Sequence, residues 1–74
     1  MYLIDLQKGE KAKIVKIHAD KVLRDRFNSF GVMRGEELVI KECSLSKQTI
    51  EIEVGATLIA LRADEAEKIE IEVL

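Results

Sequence analysis

The sequence predicts a mainly β fold, a small five-stranded barrel with one inserted α-helix, for a chain of 74 residues. Two segments, 50–54 and 69–73, alternate apolar residues with glutamates, which is typical of strands that have one solvated face. Between the first and second predicted strands, Leu23, Phe27 and Phe30 recur at helical spacing. A flat five-stranded sheet of this length could not cover its own core, so we expect the strands to bend into a barrel. The length predicts a single domain, 1–74, with one thin core.

Three further segments have the length and composition of strands. In Lys11 to His18 the apolar phase shifts between Ile14 and Val15, which indicates a bulge or burial on both faces. Leu38 to Cys43 is an apolar and β-branched run. Leu58 to Leu61 is almost continuously apolar, which favours a central position in the sheet.

The first strand is predicted to pair with the last. Lys11 and Lys13 alternate in phase with exposed positions, as Glu70 and Glu72 do. Opposite charges across paired strands stabilise by roughly 0.2–1 kcal/mol, so this pairing also closes the barrel favourably.

The inserted helix is predicted over about residues 20–31. Asp20 can cap its start, and Gly31 can end it in a left-handed conformation. A second, short helical turn is predicted near 64–68, where Asp64 and Glu65 lie close to the positive end of the turn. The predicted structural core consists of Leu23, Phe27, Phe30, Gly31, Gly35, Ile50, Ile52, Leu61 and Ile69.

The net charge of −2 conceals two halves of opposite charge. Residues 1–35 carry eight basic and four acidic side chains, whereas residues 36–74 carry four basic and ten acidic ones. In a small barrel the halves interleave, so we expect the charges to cancel across paired strands. Because the few aromatic residues, Tyr2, Phe27 and Phe30, do not form a stacking platform over a basic groove, we expect no nucleic-acid partner.

Several classes of protein are excluded by what the chain lacks. No apolar run approaches the ~18 residues that a membrane helix needs, and no basic-then-apolar leader is present, so we expect a cytoplasmic protein. The single Cys43 cannot form an internal disulfide. No glycine-rich segment ends in the Lys-Ser/Thr pair of a phosphate loop, which argues against nucleotide hydrolysis. Nucleophilic catalysis needs a base beside the nucleophile, and His18 is the single imidazole in the chain. We therefore expect no enzymatic activity.

Metal ligands are sparse as well. The chain lacks the paired Cys or His spacings of a strong metal site, and we expect no resident cofactor. Glu51 with Glu53, and Glu70 with Glu72, lie two apart on one strand face, where a weak divalent-metal site together with His18 is conceivable. A solvated strand face is the favoured interpretation of these glutamates.

The order of several segments resembles the family of ferrous iron transport protein A, FeoA. These segments include Leu3 and Leu6 before Gly9, the stretch 26–35 (RFNSFGVMRG), the alternating strand 50–54, and the run 59–62. No single segment is specific, but their order and spacing are, and together they span nearly the whole chain. One departure is Gly55, which falls one position before the usual glycine, so that Ala56 occupies that place.

The resemblance implies an SH3-like barrel and a role as accessory to the membrane ferrous-iron transporter FeoB, whose cytosolic part includes a G-protein domain. Our leading hypothesis is therefore a non-enzymatic interaction module that docks on that cytosolic part and contacts the membrane only through this partner. The fold is also similar to the C-terminal barrel of iron-dependent repressors. A metal-binding or metal-sensing domain is thus the alternative hypothesis.

The partner surface is predicted on the inserted helix and the loop that follows it, because elements outside a barrel wall are free to make specific contacts. Arg24, Arg26 and Arg34 are the candidate contact residues. Arg is enriched at interfaces, which favours contact with a partner; for Arg26 the alternative is a structural ion pair with Asp25 or a strand glutamate.

Overall fold

Five antiparallel strands form one sheet in the computed structural model, which describes residues 1–74. The strands are β1 (Lys11–Ile17), β2 (Glu37–Cys43), β3 (Thr49–Val54), β4 (Thr57–Arg62) and β5 (Ile69–Val73). Their order in the sheet is β4-β3-β2-β1-β5. The five predicted strands are confirmed, and all of them contribute to one buried cluster, so the sheet curves around it.

The predicted central position of the run Leu58 to Leu61 is wrong, because β4 lies at one end of the sheet order. Ile59 and Leu61 point into the core, while Leu58 and Ala60, which alternate with them, are exposed. Burial therefore alternates along β4 as in any strand with one wet face, although the wet face carries apolar side chains.

The pairing of the first and last strands is confirmed. In the β1–β5 ladder Lys13 lies opposite Glu72, and Lys16 lies opposite Glu70. The register shifts between Ile14 and Lys16, so of the two interpretations of the apolar phase, a bulge or burial on both faces, the bulge is confirmed.

The N-terminal segment covers the free edge of β5. The Ile71 N–H donates to the Met1 carbonyl at 2.9 Å, and Tyr2 forms an isolated bridge with Glu70. A short 3₁₀ turn, Leu3–Asp5, follows and buries Leu3 completely. The alternation rules did not predict this turn, since three residues are too few to show a period.

Lys47, in the loop between β2 and β3, holds the N-terminal segment in place. Its backbone has a φ of 55°, a left-handed value, and its ammonium donates to the carbonyls of Ile4 and Leu6 at 3.2 and 3.0 Å. Strands β4 and β5 do not pair with each other. The barrel is closed instead by this segment and by a short helix between β4 and β5.

The inserted helix α1 (Lys21–Ser29) begins where the sequence predicted, because the Asp20 carboxylate accepts a hydrogen bond from the Leu23 N–H at 2.9 Å. Phe27 is its one fully buried residue, at 1% exposure. Leu23 is half-buried and packs against the core. Two of the three residues of the predicted stripe therefore face inward.

Phe30 does not belong to the core, and its assignment there is corrected: the side chain is 44% exposed. The helix ends at Ser29, and Gly31 then turns the chain with a φ of 87°. The Val32 N–H returns to the Phe27 carbonyl at 2.9 Å, and Val32 is completely buried. Val32 thus takes the inner position that helical spacing had given to Phe30.

Gly31 and Gly35 are likewise turn residues and not core residues. Gly31 is half-buried and Gly35 is exposed, and their φ values of 87° and 92° are ones that L side chains rarely adopt. Both glycines change the direction of the backbone. Their positions in the sequence motif are equally compatible with a role in turns and a role in packing, so the motif alone did not show which role they have.

The second helix, α2 (Ala63–Ala66), begins one residue before the start of the predicted turn, 64–68, and ends two residues before the end of that turn. Ala66 faces inward as expected. Glu65 was expected near the start of the turn because of its negative charge. It is also buried, and it is the one charged residue in the buried set.

The core contains 17 buried apolar residues drawn from every element. Predicted members Ile50, Ile52, Leu61 and Ile69 are confirmed in it. The full set is Leu3, Leu6, Ala12, Ile14, Ile17, Phe27, Val32, Leu38, Ile40, Ile50, Ile52, Val54, Ile59, Leu61, Ala66, Ile69 and Ile71.

The hairpin between β3 and β4 explains the displaced glycine. Val54 pairs with Thr57 across a two-residue loop, Gly55 and Ala56. Gly55 has a φ of 60° and Ala56 is not in the positive region, the pattern of a type II′ turn with glycine first. Moving the glycine by one position is therefore compatible with a tight hairpin here.

Candidate partner-binding site

A basic groove of about 250 Å³ lies where the exposed face of α1 meets the end of β1. It is lined by Lys16, Ile17, Arg24, Asn28 and Arg34, and we call these five residues the basic groove. Two of the three predicted partner-binding arginines, Arg24 and Arg34, thus share one surface depression. Arg24 comes from α1 itself, and the turn after α1 brings Arg34 to the same place.

Local structure places each groove residue. Arg24 and Asn28 are four residues apart on α1 and so project from the same helix face. Arg34 precedes Gly35, whose N–H donates to the Ile14 carbonyl at 2.7 Å and fixes the turn against β1. The groove is therefore framed by backbone hydrogen bonds, while the charged ends of its side chains stay exposed.

Three of the five residues of the groove are cationic. None of its three cationic residues, Lys16, Arg24 and Arg34, forms a salt bridge, and no carboxylate lines it. Lys16 lies opposite Glu70 in the ladder, and its charge adds to the His18 hydrogen bond in holding the pKa of the Glu70 carboxyl below its ordinary value. Arg24 and Arg34 form no salt bridge within the chain, and together with Lys16 they form a surface that can bind an anion.

Arg26 has a different environment, since it binds within the fold. Its Nη1 lies 3.2 Å from Glu65 Oε2, and the Glu65 side chain is 8% exposed. The other Glu65 oxygen accepts the Arg62 N–H at 2.9 Å, so both oxygens are occupied. Of the two roles that the sequence left open for Arg26, the structure favours the ion pair, with a residue of α2 and not with Asp25 or a strand glutamate.

Of the weak metal candidates, His18 is not brought together with Glu51 and Glu53. His18 follows β1, whereas Glu51 and Glu53 lie on β3, and β2 separates the two strands. Glu51 lies opposite Glu42 in the β2–β3 ladder. No group of three or more His, Cys, Asp or Glu side chains is placed to hold a metal ion.

His18 and Glu70 form a pair beside the N-terminal segment. His18 Nε2 lies 2.7 Å from Glu70 Oε1, and the Tyr2 ring centroid is 5.7 Å from that of His18. The hydrogen bond from His18 is the main cause that holds the pKa of the Glu70 carboxyl below its ordinary value. The imidazole is thus engaged by a carboxylate and not by a serine or cysteine.

Sequence reasoning missed Lys16 and Asn28 as groove residues. Asn28 could have been found, because it lies four residues after Arg24 on the predicted helix. Lys16 gave no such signal, since its approach to α1 depends on how the chain folds back after β1. No helix in the fold combines the length and apolar character that crossing a membrane requires.

A protein-family model described as the FeoA domain matches residues 1–73. A curated relative, Fe(2+) transport protein A of Campylobacter jejuni, is 38% identical over the full length of both chains. In Porphyromonas gingivalis the chain matches part of a fusion protein of Fe(2+) transport protein A and the Fe(2+) transporter FeoB. That match is 27% identical and covers the whole of this chain but 9% of the fusion protein.

Solved structures agree with the fold. The FeoA protein of Chlorobium tepidum superimposes with a TM-score of 0.93 at 28% identity, covering 100% of this chain and 70% of that one. The zinc complex of Stenotrophomonas maltophilia FeoA, described as a prokaryotic SH3 domain protein, gives 0.82 at 25% identity, covering 97% and 89%. A manganese-dependent transcriptional repressor shares the fold alone, with a TM-score of 0.90 at 19% identity over 41% of its chain.

Proposed function

Because the chain belongs to the FeoA family, we propose that it is a cytoplasmic, non-enzymatic accessory protein of ferrous iron uptake that docks on the cytosolic part of the transporter FeoB. The observation that carries this proposal is the Porphyromonas gingivalis fusion, in which Fe(2+) transport protein A and FeoB share one chain. A covalent link holds two domains at high effective concentration, which benefits domains that act on each other.

The basic groove is the proposed docking surface on this chain. Arg24 and Arg34 are exposed, have no internal ion pair and lie on elements outside the sheet. Unpaired surface cations steer an acidic partner surface during encounter and fix its orientation once bound. The glutamates of β3 are half-buried within the sheet and offer the opposite charge.

A pull-down of the purified cytosolic part of the transporter, with and without guanine nucleotide, tests the proposal. The intact chain should retain the transporter fragment, and the double reversal R24E/R34E should weaken this binding together with its salt dependence. The matched variant E51K/E53K, which reverses two charges on the sheet, should keep it. Retention by R24E/R34E and loss by E51K/E53K would place the docking face on the sheet, and no retention by the intact chain would contradict docking altogether.

A second candidate function, divalent-metal binding, is favoured by the zinc complex of the Stenotrophomonas maltophilia protein. In the present chain His18 and Glu70 supply two adjacent ligand atoms, at 2.7 Å from each other, and no third ligand joins them. Tight transition-metal sites in proteins use three or four protein ligands. The residues present therefore fit a resident metal ion poorly.

A further inference from the structure

We propose that the basic groove is a carboxylate-binding site, which takes acidic side chains from a short Asp- or Glu-containing segment of a partner protein. The inference rests on the proposed docking function and adds the chemistry that the partner must present. It extends the site beyond the two arginines to Lys16 and Asn28, which share the groove with them.

The lining of the groove matches a carboxylate on a short aliphatic stem. Arg24 and Arg34 offer planar guanidinium groups, which bind carboxylates through two parallel N–H donors. Asn28 adds a neutral amide donor and Lys16 a compact charge. Ile17, which is almost fully buried, supplies an apolar wall for the methylene groups of the entering side chain.

The helix already binds one carboxylate of this kind within the chain. Arg26, between Arg24 and Asn28 on α1, lies 3.2 Å from the Glu65 carboxylate of α2. Arg24 is two residues away, projects from a different face, and has no such partner. The groove thus presents the same donor type as an internal ion pair of this fold, with the acidic side left to another molecule.

Size and charge argue against other ligands. At about 250 Å³, the groove is smaller than the ~300–1,000 Å³ typical of small-molecule and cofactor sites. A long polyanion such as a nucleic acid would extend beyond the groove over a chain whose net charge is −2. A short acidic segment needs only the three local cations.

The experiment is an NMR titration of the ¹⁵N-labelled full chain with a hexaglutamate peptide at low salt. Amide signals of residues 16–17, 24–28 and 34–35 should shift together, and R24E/R34E should weaken the binding by at least about tenfold. The control K11E/K41E changes the net charge by the same amount at two exposed lysines outside the groove and should bind within about twofold of the wild type. Equal losses in the two variants would overturn the proposal, because they would show attraction to net charge alone.

Two further probes complete the test. Inorganic phosphate and single-stranded DNA are titrated in the same way. If either shifts the groove signals with higher affinity than the peptide does, the proposal is overturned. The transporter fragment separates this inference from the proposed function: binding that survives R24E/R34E contradicts the carboxylate site and leaves docking intact. Failure of the fragment to bind the wild-type chain, while the peptide still titrates the groove, contradicts docking on that transporter and leaves the carboxylate site intact.

Discussion

The guanidinium of Arg26 lies 3.2 Å from the carboxylate of Glu65, and this pair joins α1 to α2. Glu65 is buried at 8% side-chain exposure, while Arg26 remains 59% exposed. The second Glu65 oxygen caps the start of α2 by accepting the Arg62 N–H. The carboxylate thus depends on one cation and one backbone donor to compensate for its removal from water.

Removing the cation should destabilise the fold. For Arg26→Gln we expect the free energy of unfolding to fall by about 1–3 kcal/mol, less than for a fully buried pair because Arg26 is partly solvated. Urea denaturation measures this, with Arg24→Gln as the matched control on the same helix, expected within about 0.5 kcal/mol of the wild type. Equal stabilities for the two variants would show that the Glu65 carboxylate does not need Arg26.

The two phenylalanines of α1 and its cap should differ sharply when truncated. Phe27→Ala should lower the free energy of unfolding by roughly 3–5 kcal/mol, a large share of the stability of so small a domain. Phe30→Ala, at a residue 44% exposed, should cost less than about 1.5 kcal/mol. Thermal unfolding of both variants checks the difference, and an unchanged midpoint for Phe27→Ala would contradict its place in the core.

Acid should remove the contribution of the His18–Glu70 pair. Because hydrogen bonding to His18 lowers the pKa of Glu70 in the folded chain, the stabilisation is fully present above the unfolded-state value of about 4.3 and is lost as the pH falls through the lowered pKa. The stability difference between wild type and Glu70→Gln should therefore shrink as the pH falls below the unfolded-state value. His18→Gln removes the same hydrogen bond, so its stability difference from the wild type should shrink over the same pH range. Stability differences that stay constant with pH would refute the prediction.

Metal titration should show weak binding at best. Isothermal titration of the chain with ferrous, manganous and zinc ions under reducing conditions is expected to give no saturation at micromolar metal, because two adjacent ligand atoms do not make a tight site. Any weak signal should disappear in His18→Ala. Stoichiometric tight binding that survives this change would support the metal-binding function through ligands other than His18.

Much of the fold could be predicted because charge and period agree along the strands. The glutamates of β3 and β5 mark one face of each strand, and the lysines of β1 alternate in phase with those of β5, so pairing and bulge followed from the sequence. The edge position of β4 could not be predicted in this way, since Leu58 and Ala60 are apolar residues on a wet face. An apolar run is compatible with burial on both faces of a strand. Whether both faces are buried depends on which other elements pack against that strand.

The site was predictable in part. Arg24 and Arg34 followed from the argument that an inserted element is free to bind, but the partner of Arg26 is a glutamate 39 positions later in the sequence, Glu65. Helical spacing also continued past the true end of α1 and placed Phe30 inside. Contacts between elements distant in sequence and the exact end of a helix depend on tertiary structure, which local periodicity does not contain.

The β1–β5 ladder has a consequence for the rate of folding. Strands β2, β3 and β4 are joined by short hairpins, whereas Ile14 pairs with Ile71 near the opposite end of the chain. Pairings of such high contact order form slowly, because most of the chain must be ordered before they contribute. We therefore expect the hairpins to form the early nucleus and β1 to dock late. Since Lys16 and Ile17 come from β1, the basic groove is complete only after that step, and a partly folded chain would lack it.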